Sequence, residues 1–60
     1  MDQVEQAKAY AQDFIKTNPD LANEVNELFT LMCEEIQDGE SPDNELELFI
    51  SSCDELLEFE

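Results

Sequence analysis

Histidine, arginine and tryptophan do not occur in this 60-residue chain, and glycine occurs only once. Without histidine there is no Ser-His or Cys-His pair, so the common routes to an activated nucleophile are closed. Without arginine there is no bidentate clamp for a phosphate or carboxylate substrate. A single glycine leaves no glycine-rich phosphate loop. With two prolines beside it, the chain has few turn residues, which favours helices over a small β-fold. The two cysteines, Cys33 and Cys53, lack a CxxC spacing and are too few for a zinc set or a disulfide framework. No apolar run reaches the length of a membrane span. No basic stretch followed by an apolar segment opens the chain. The expectation is a cytoplasmic protein without membrane contact.

Base is almost as scarce. Seventeen carboxylates face two lysines, a net charge of −15. Such a chain repels nucleic acid and anionic lipid and attracts basic proteins or cations. Its self-repulsion costs stability, so it is expected to fold better at higher salt. The hydrophobic fraction of 42% is enough for a core and argues against full disorder. A chain of this length buries only about 60% of the surface its unfolded form exposes, so stability should be marginal.

The apolar positions read as a single all-α domain over residues 1–60 with three helices. Helix 1, about 2–16, carries Val4, Ala7, Tyr10, Ala11, Phe14 and Ile15 at helical spacing. Asn18 is expected to cap the next helix, with Pro19 at its first position and Asp20 complementing the dipole. Helix 2, about 19–38, has the stripe Leu21, Val25, Leu28, Phe29, Met32 and Ile36. Gly39 suits the position just past its end. Ser41 and Pro42 then suit the cap and first position of helix 3, about 42–57. Its stripe is Leu46, Phe49, Ile50, Cys53, Leu56 and Leu57. The short connection makes helices 2 and 3 an antiparallel hairpin, with helix 1 packed across it. In that hairpin Cys33 and Cys53 sit about 6 Å apart in level, which disfavours a bond between them. Both read as small core hydrophobes.

The charge is uneven. Residues 1–17 carry Asp2, Glu5 and Asp13 against Lys8 and Lys16, whereas residues 18–60 carry the other 14 carboxylates and no base. At about 100° per residue, Asp20, Glu24, Glu27, Glu34, Glu35 and Asp38 fall within one arc of helix 2. Asp43, Glu47, Asp54 and Glu58 form a narrower stripe on helix 3, and Glu45 and Glu55 lie elsewhere. Duplex DNA carries roughly 17–18 charges over the about 30 Å that twenty helical residues span. The hairpin comes close to that density. One reading is therefore a nucleic-acid mimic that occupies the basic groove of a DNA-binding protein. The plainer reading is two solvated helix faces.

Three apolar residues break the pattern. Leu31 projects into the acidic arc of helix 2, and Leu48 and Phe59 project opposite the core stripe of helix 3. Each is permitted singly; together they are contact candidates for a partner or a second copy.

Other chemistries fit poorly. Carboxylate pairs serve glycosidases, but a short hairpin has too little wall for a deep cleft. An EF-hand loop begun at Asp38 would put Pro42 at position 5, Asp43 where glycine belongs and Phe49 where the bidentate glutamate belongs. No metal or cofactor is expected. Tyr10, Phe14, Phe29 and Phe49 fit the core, and base stacking would need basic neighbours that are missing. The function expected is a non-enzymatic acidic interaction module that binds a basic protein, one that handles nucleic acid being the leading class. Its size and charge fit an inhibitor carried by a phage or mobile element. The carrying residues would be Glu24, Glu27, Glu34, Glu35 and Asp38, with Asp43, Glu47, Asp54 and Glu58 in support. The alternatives are a homodimer or accessory subunit joined through Leu48 and Phe59, and an acidic-hydrophobic adaptor that binds through a groove between helices.

Overall fold

The computed structural model describes residues 2–58. They form three helices: α1 (Gln3–Thr17), α2 (Ala22–Gln37) and α3 (Pro42–Glu58). A single 3₁₀ turn, Pro19–Leu21, precedes α2.

Helix α1 starts because Asp2 caps it. The Asp2 backbone is extended, and its Oδ1 accepts the Glu5 backbone N–H at 2.9 Å, satisfying one of the donors that a helix start leaves open. It ends at Asn18, which corrects one expectation. Asn18 makes no side-chain cap for the following turn. Its backbone N–H and its Nδ2 both donate to the Phe14 carbonyl, at 2.8 and 3.2 Å. Asn18 therefore closes the helix behind it rather than opening the one ahead.

Helix α2 was expected to begin at Pro19. The Leu21 N–H instead bonds back to the Asn18 carbonyl at 3.0 Å, a three-residue reach that makes the first turn 3₁₀. At the other end, Gly39 adopts φ 108°. Its N–H donates to the Ile36 carbonyl at 3.1 Å, and the Glu40 N–H donates to the Glu35 carbonyl at 3.0 Å. This is a complete Schellman motif, and glycine occupies its position of positive φ. The Ser41 carbonyl then accepts the Glu45 N–H at 3.0 Å, which starts α3.

Helix α1 contacts both α2 and α3, and its direction is set by two side-chain ties. Gln3 donates to Asp43 near the starts of α1 and α3, and Tyr10 donates to Asp54 further along both. Helices α1 and α3 thus run the same way, with α2 antiparallel to them. The core is small: Ala7, Ala11 and Phe14 from α1, Val25 and Met32 from α2, Phe49 and Cys53 from α3. The two alanines stand one turn apart on the inner face of α1 and let its backbone approach the hairpin closely. Phe49 joins the layers. Its ring meets Tyr10 of α1 and Phe29 of α2 edge-on, with centroids 6.2 and 6.1 Å away, a geometry that the ring quadrupoles favour.

One stripe position and one acidic position differ from expectation. Leu57 is 45% exposed. It sits on the α1–α3 rim beside Tyr10, Phe14 and Asn18. Glu45, expected away from the acidic stripes, is 9% exposed; it faces α2 across the hairpin.

Candidate protein-interaction surface

Helix α2 holds the acid outward because its apolar stripe must face inward. Glu24, Glu27, Glu34, Glu35 and Asp38 are all exposed. Glu27 and Glu34 share an outward strip with Leu31 and Asn23. Glu24 lies in the first turn of α2, where negative charge meets the positive end of the helix dipole. Glu34 and Glu35 lie in the last turn, where no base accompanies them. There the dipole opposes them by about 0.3–1 kcal/mol each. The local energetics of the helix do not account for carboxylates at that end.

The acids of α3 divide. Asp43, Glu47, Asp54 and Glu58 are all exposed, but two of them are tied to α1. Asp43 accepts from Gln3 Nε2, and Asp54 Oδ1 accepts the Tyr10 hydroxyl at 3.0 Å. These two carboxylates stand on the α1–α3 seam and hold α1 in place. They are not continuous with the acids of α2 that line the hairpin. The Tyr10 hydroxyl is pushed up to about 12, first by burial and then by the hydrogen bond and charge of Asp54. The Cys53 thiol is pushed up to about 11, first by burial and then by Asp54. A buried thiol held protonated is an inert core group.

Leu31 and Leu48 are each 53% exposed, and the tertiary structure brings them together. They stand on opposite walls of one groove between α2 and α3, above Leu28, Met32 and Phe49. The groove continues past Ser52 to Leu56. No residue of α1 lines it. Glu24, Glu27 and Glu35 edge it from α2, and Glu45 and Glu55 from α3. Phe59, the third apolar candidate, lies outside the described residues.

No family model, curated protein or solved structure matches this chain.

Sequence reasoning left out Glu45, Glu55 and Ser52, because each helix was oriented by itself. The missing signal was hairpin register. An antiparallel pair turning near Gly39 sets Glu35 level with Glu45, and Leu31 level with Leu48. Among the described residues no group of three or more Cys, Asp or Glu side chains is placed to hold a metal ion. None of their helices is long and apolar enough to cross a membrane.

Proposed function

We propose that this protein is a non-enzymatic acidic interaction module that occupies a basic surface of a partner protein, and that the partner is one that handles nucleic acid. The observation that carries this reading is the run of exposed carboxylates Glu24, Glu27, Glu34 and Glu35 on α2 and Asp38 at its C-cap, in a stretch of chain that contains no base after Lys16. The position of Glu34 and Glu35 at the negative end of the helix dipole adds to it. Groups kept where they destabilise their own helix are characteristic of functional positions. Residues 22–38 span about 25 Å at helical rise, a length of duplex that carries roughly 15 phosphate charges. The acidic run matches a basic groove for such a duplex in length, with its five carboxylates supplying about a third of that charge. Asp43 and Asp54, exposed on α3, each also accept a hydrogen bond from α1.

The test is capture from a cell lysate by the immobilised protein, with DNA as competitor. Basic nucleic-acid-binding proteins should be retained and then released by DNA. Changing Glu27, Glu34 and Glu35 together to lysine should abolish that retention. Retention that survives the triple change, or that DNA does not displace, would remove the reading.

A homodimer is the second reading, and the exposure of Leu48 is the observation in its favour. Two copies bring like charge to the interface. Sedimentation across a salt series decides it, because a monomer at every salt concentration removes it.

A further inference from the structure

The groove between α2 and α3 combines three features that are independent of one another. It is apolar along its length: Leu28, Leu31, Leu48 and Leu56 form its floor and walls, and Leu31 and Leu48 leave more than half of their surface in water. Its edges carry one sign of charge, from Glu24, Glu27 and Glu35 on one side and Glu45 and Glu55 on the other. Its inner end holds a carboxylate that no described residue pairs with. Glu45 is only 9% exposed, and no hydrogen bond or ion pair from the described residues reaches its side chain. No buried side-chain oxygen among those residues lacks a partner, so the Glu45 carboxylate opens onto the groove. The Glu45 stem is covered by the hairpin while its carboxylate stays open to a basic group arriving in the groove.

We propose that this groove docks one amphipathic helix of a partner protein, carrying an apolar stripe of about three turns with lysine or arginine on both flanks, and that Glu45 receives one of those basic side chains. The proposal rests on the acidic-module reading above and names what its partner presents. From Glu24 to Glu35 the groove runs about 16 Å, or three helical turns. A helix laid there contacts α2 and α3 together and completes a four-helix bundle. Apolar anchors at i, i+3 or i+4, and i+7 would sit between Leu31 and Leu48, as in other helix-in-groove complexes. The basic flanks would then lie against Glu24, Glu27, Glu35 and Glu55. A second copy of this chain is disfavoured as occupant because its hairpin would bring acid to acid, and an anionic lipid surface is disfavoured for the same reason.

The experiment titrates the isotope-labelled full chain with two synthetic peptides of identical composition. One places leucines in a helical stripe flanked by lysines; the other scrambles the stripe and keeps the charge. The stripe peptide should shift the amide resonances of Leu28, Leu31, Leu48 and Ser52 and bind about tenfold or more tightly than the scrambled one. Leu31→Ser with Leu48→Ser should erase that preference while circular dichroism and Tm hold, because both side chains are exposed. Glu45→Gln should weaken the stripe peptide severalfold at low salt and less at high salt. Equal binding of the two peptides, unchanged by the double serine variant, overturns the groove and leaves the acidic-surface reading standing. Binding of neither peptide also overturns it, and DNA-competed capture then judges the acidic-surface reading separately. A dimer that depends on Leu31 and Leu48, with no preference for the stripe peptide, overturns it in favour of a second copy.

Discussion

The hydroxyl of Tyr10 on α1 donates a hydrogen bond to Asp54 on α3 across 3.0 Å. The same ring stacks on Phe14 and meets Phe49 edge-on, each at 6.2 Å between centroids. One side chain thus joins the core to the acidic surface, and one of the carboxylates most easily read as a partner contact is engaged within the fold.

Burial of Tyr10 and Cys53, with Asp54 beside both, makes the fold sensitive to alkaline pH. Tyr10 is raised from 10.0 to about 12 and Cys53 from 9.0 to about 11, each first by burial. Both groups are neutral when protonated, and the fold favours that form. Their contribution is complete below about pH 9, falls as pH rises through the window from 9 to 12, and is lost above it. Tm should therefore decline from pH 9 upward. Tyr10 is the only tyrosine and tryptophan is absent, so phenolate absorbance reads this one group. Its midpoint should lie well above 10 and move down in Asp54→Asn. A midpoint near 10 in the folded protein would contradict the contact.

Gly39 should resist replacement for a backbone reason alone. A Cβ there would meet nothing within 4 Å, yet φ is +108°. Gly39→Ala should cost about 1–2 kcal/mol by urea unfolding. Asn should cost less than Ala, because its side chain tolerates positive φ better. Equal costs for Ala and Asn would show that strain is not the cause.

Phe49 and Leu48 are neighbours in sequence and opposites in energy. Phe49 is buried at the meeting point of three helices, whereas Leu48 is exposed. Phe49→Ala should cost about 3–5 kcal/mol. A domain of this size holds only about 3–5 kcal/mol in total, so the variant should lose its cooperative melt. Leu48→Ser should change stability by less than about 0.5 kcal/mol.

Charge reversal should separate stability from binding. Glu34 and Glu35 crowd the last turn of α2 without a base. Glu34→Lys or Glu35→Lys should raise Tm by relieving both the dipole and the neighbouring acids, while the triple variant with Glu27→Lys loses partner capture. A lowered Tm in the single variants would show that these carboxylates support the fold.

Added salt should stabilise the wild-type protein. The Cα atoms span 32 × 22 × 15 Å. At about 0.01 M salt the screening length of about 30 Å covers the whole molecule, and at 0.15 M it is about 8 Å and covers only neighbours. Tm should climb over that range. A fall would mean that attractive pairs outweigh the repulsion.

The three helices were legible because their signals are local. Pro19, Gly39 and Pro42 punctuate the chain, and apolar side chains recur at helical spacing on either side of them. The differences lie where one element decides the state of another. Asn18 has the chemistry to cap either neighbour, and the Phe14 carbonyl claimed it. Leu57 matches the stripe of α3, but it falls on the α1–α3 rim and stays 45% exposed. Asp54 matches an acidic stripe, and only the arrival of Tyr10 from a distant part of the chain makes it a structural acceptor.

The amino-acid sequence by itself determined that this protein is helical, short of base and dense in outward acid, because helix period, caps and charge belong to neighbouring residues. Only the tertiary structure decided that Leu31 and Leu48 face each other across a groove, that Glu45 is drawn into it, and that Asp43 and Asp54 turn to α1. Those relationships depend on the register of one helix against another, which is set where side chains of distant segments interlock.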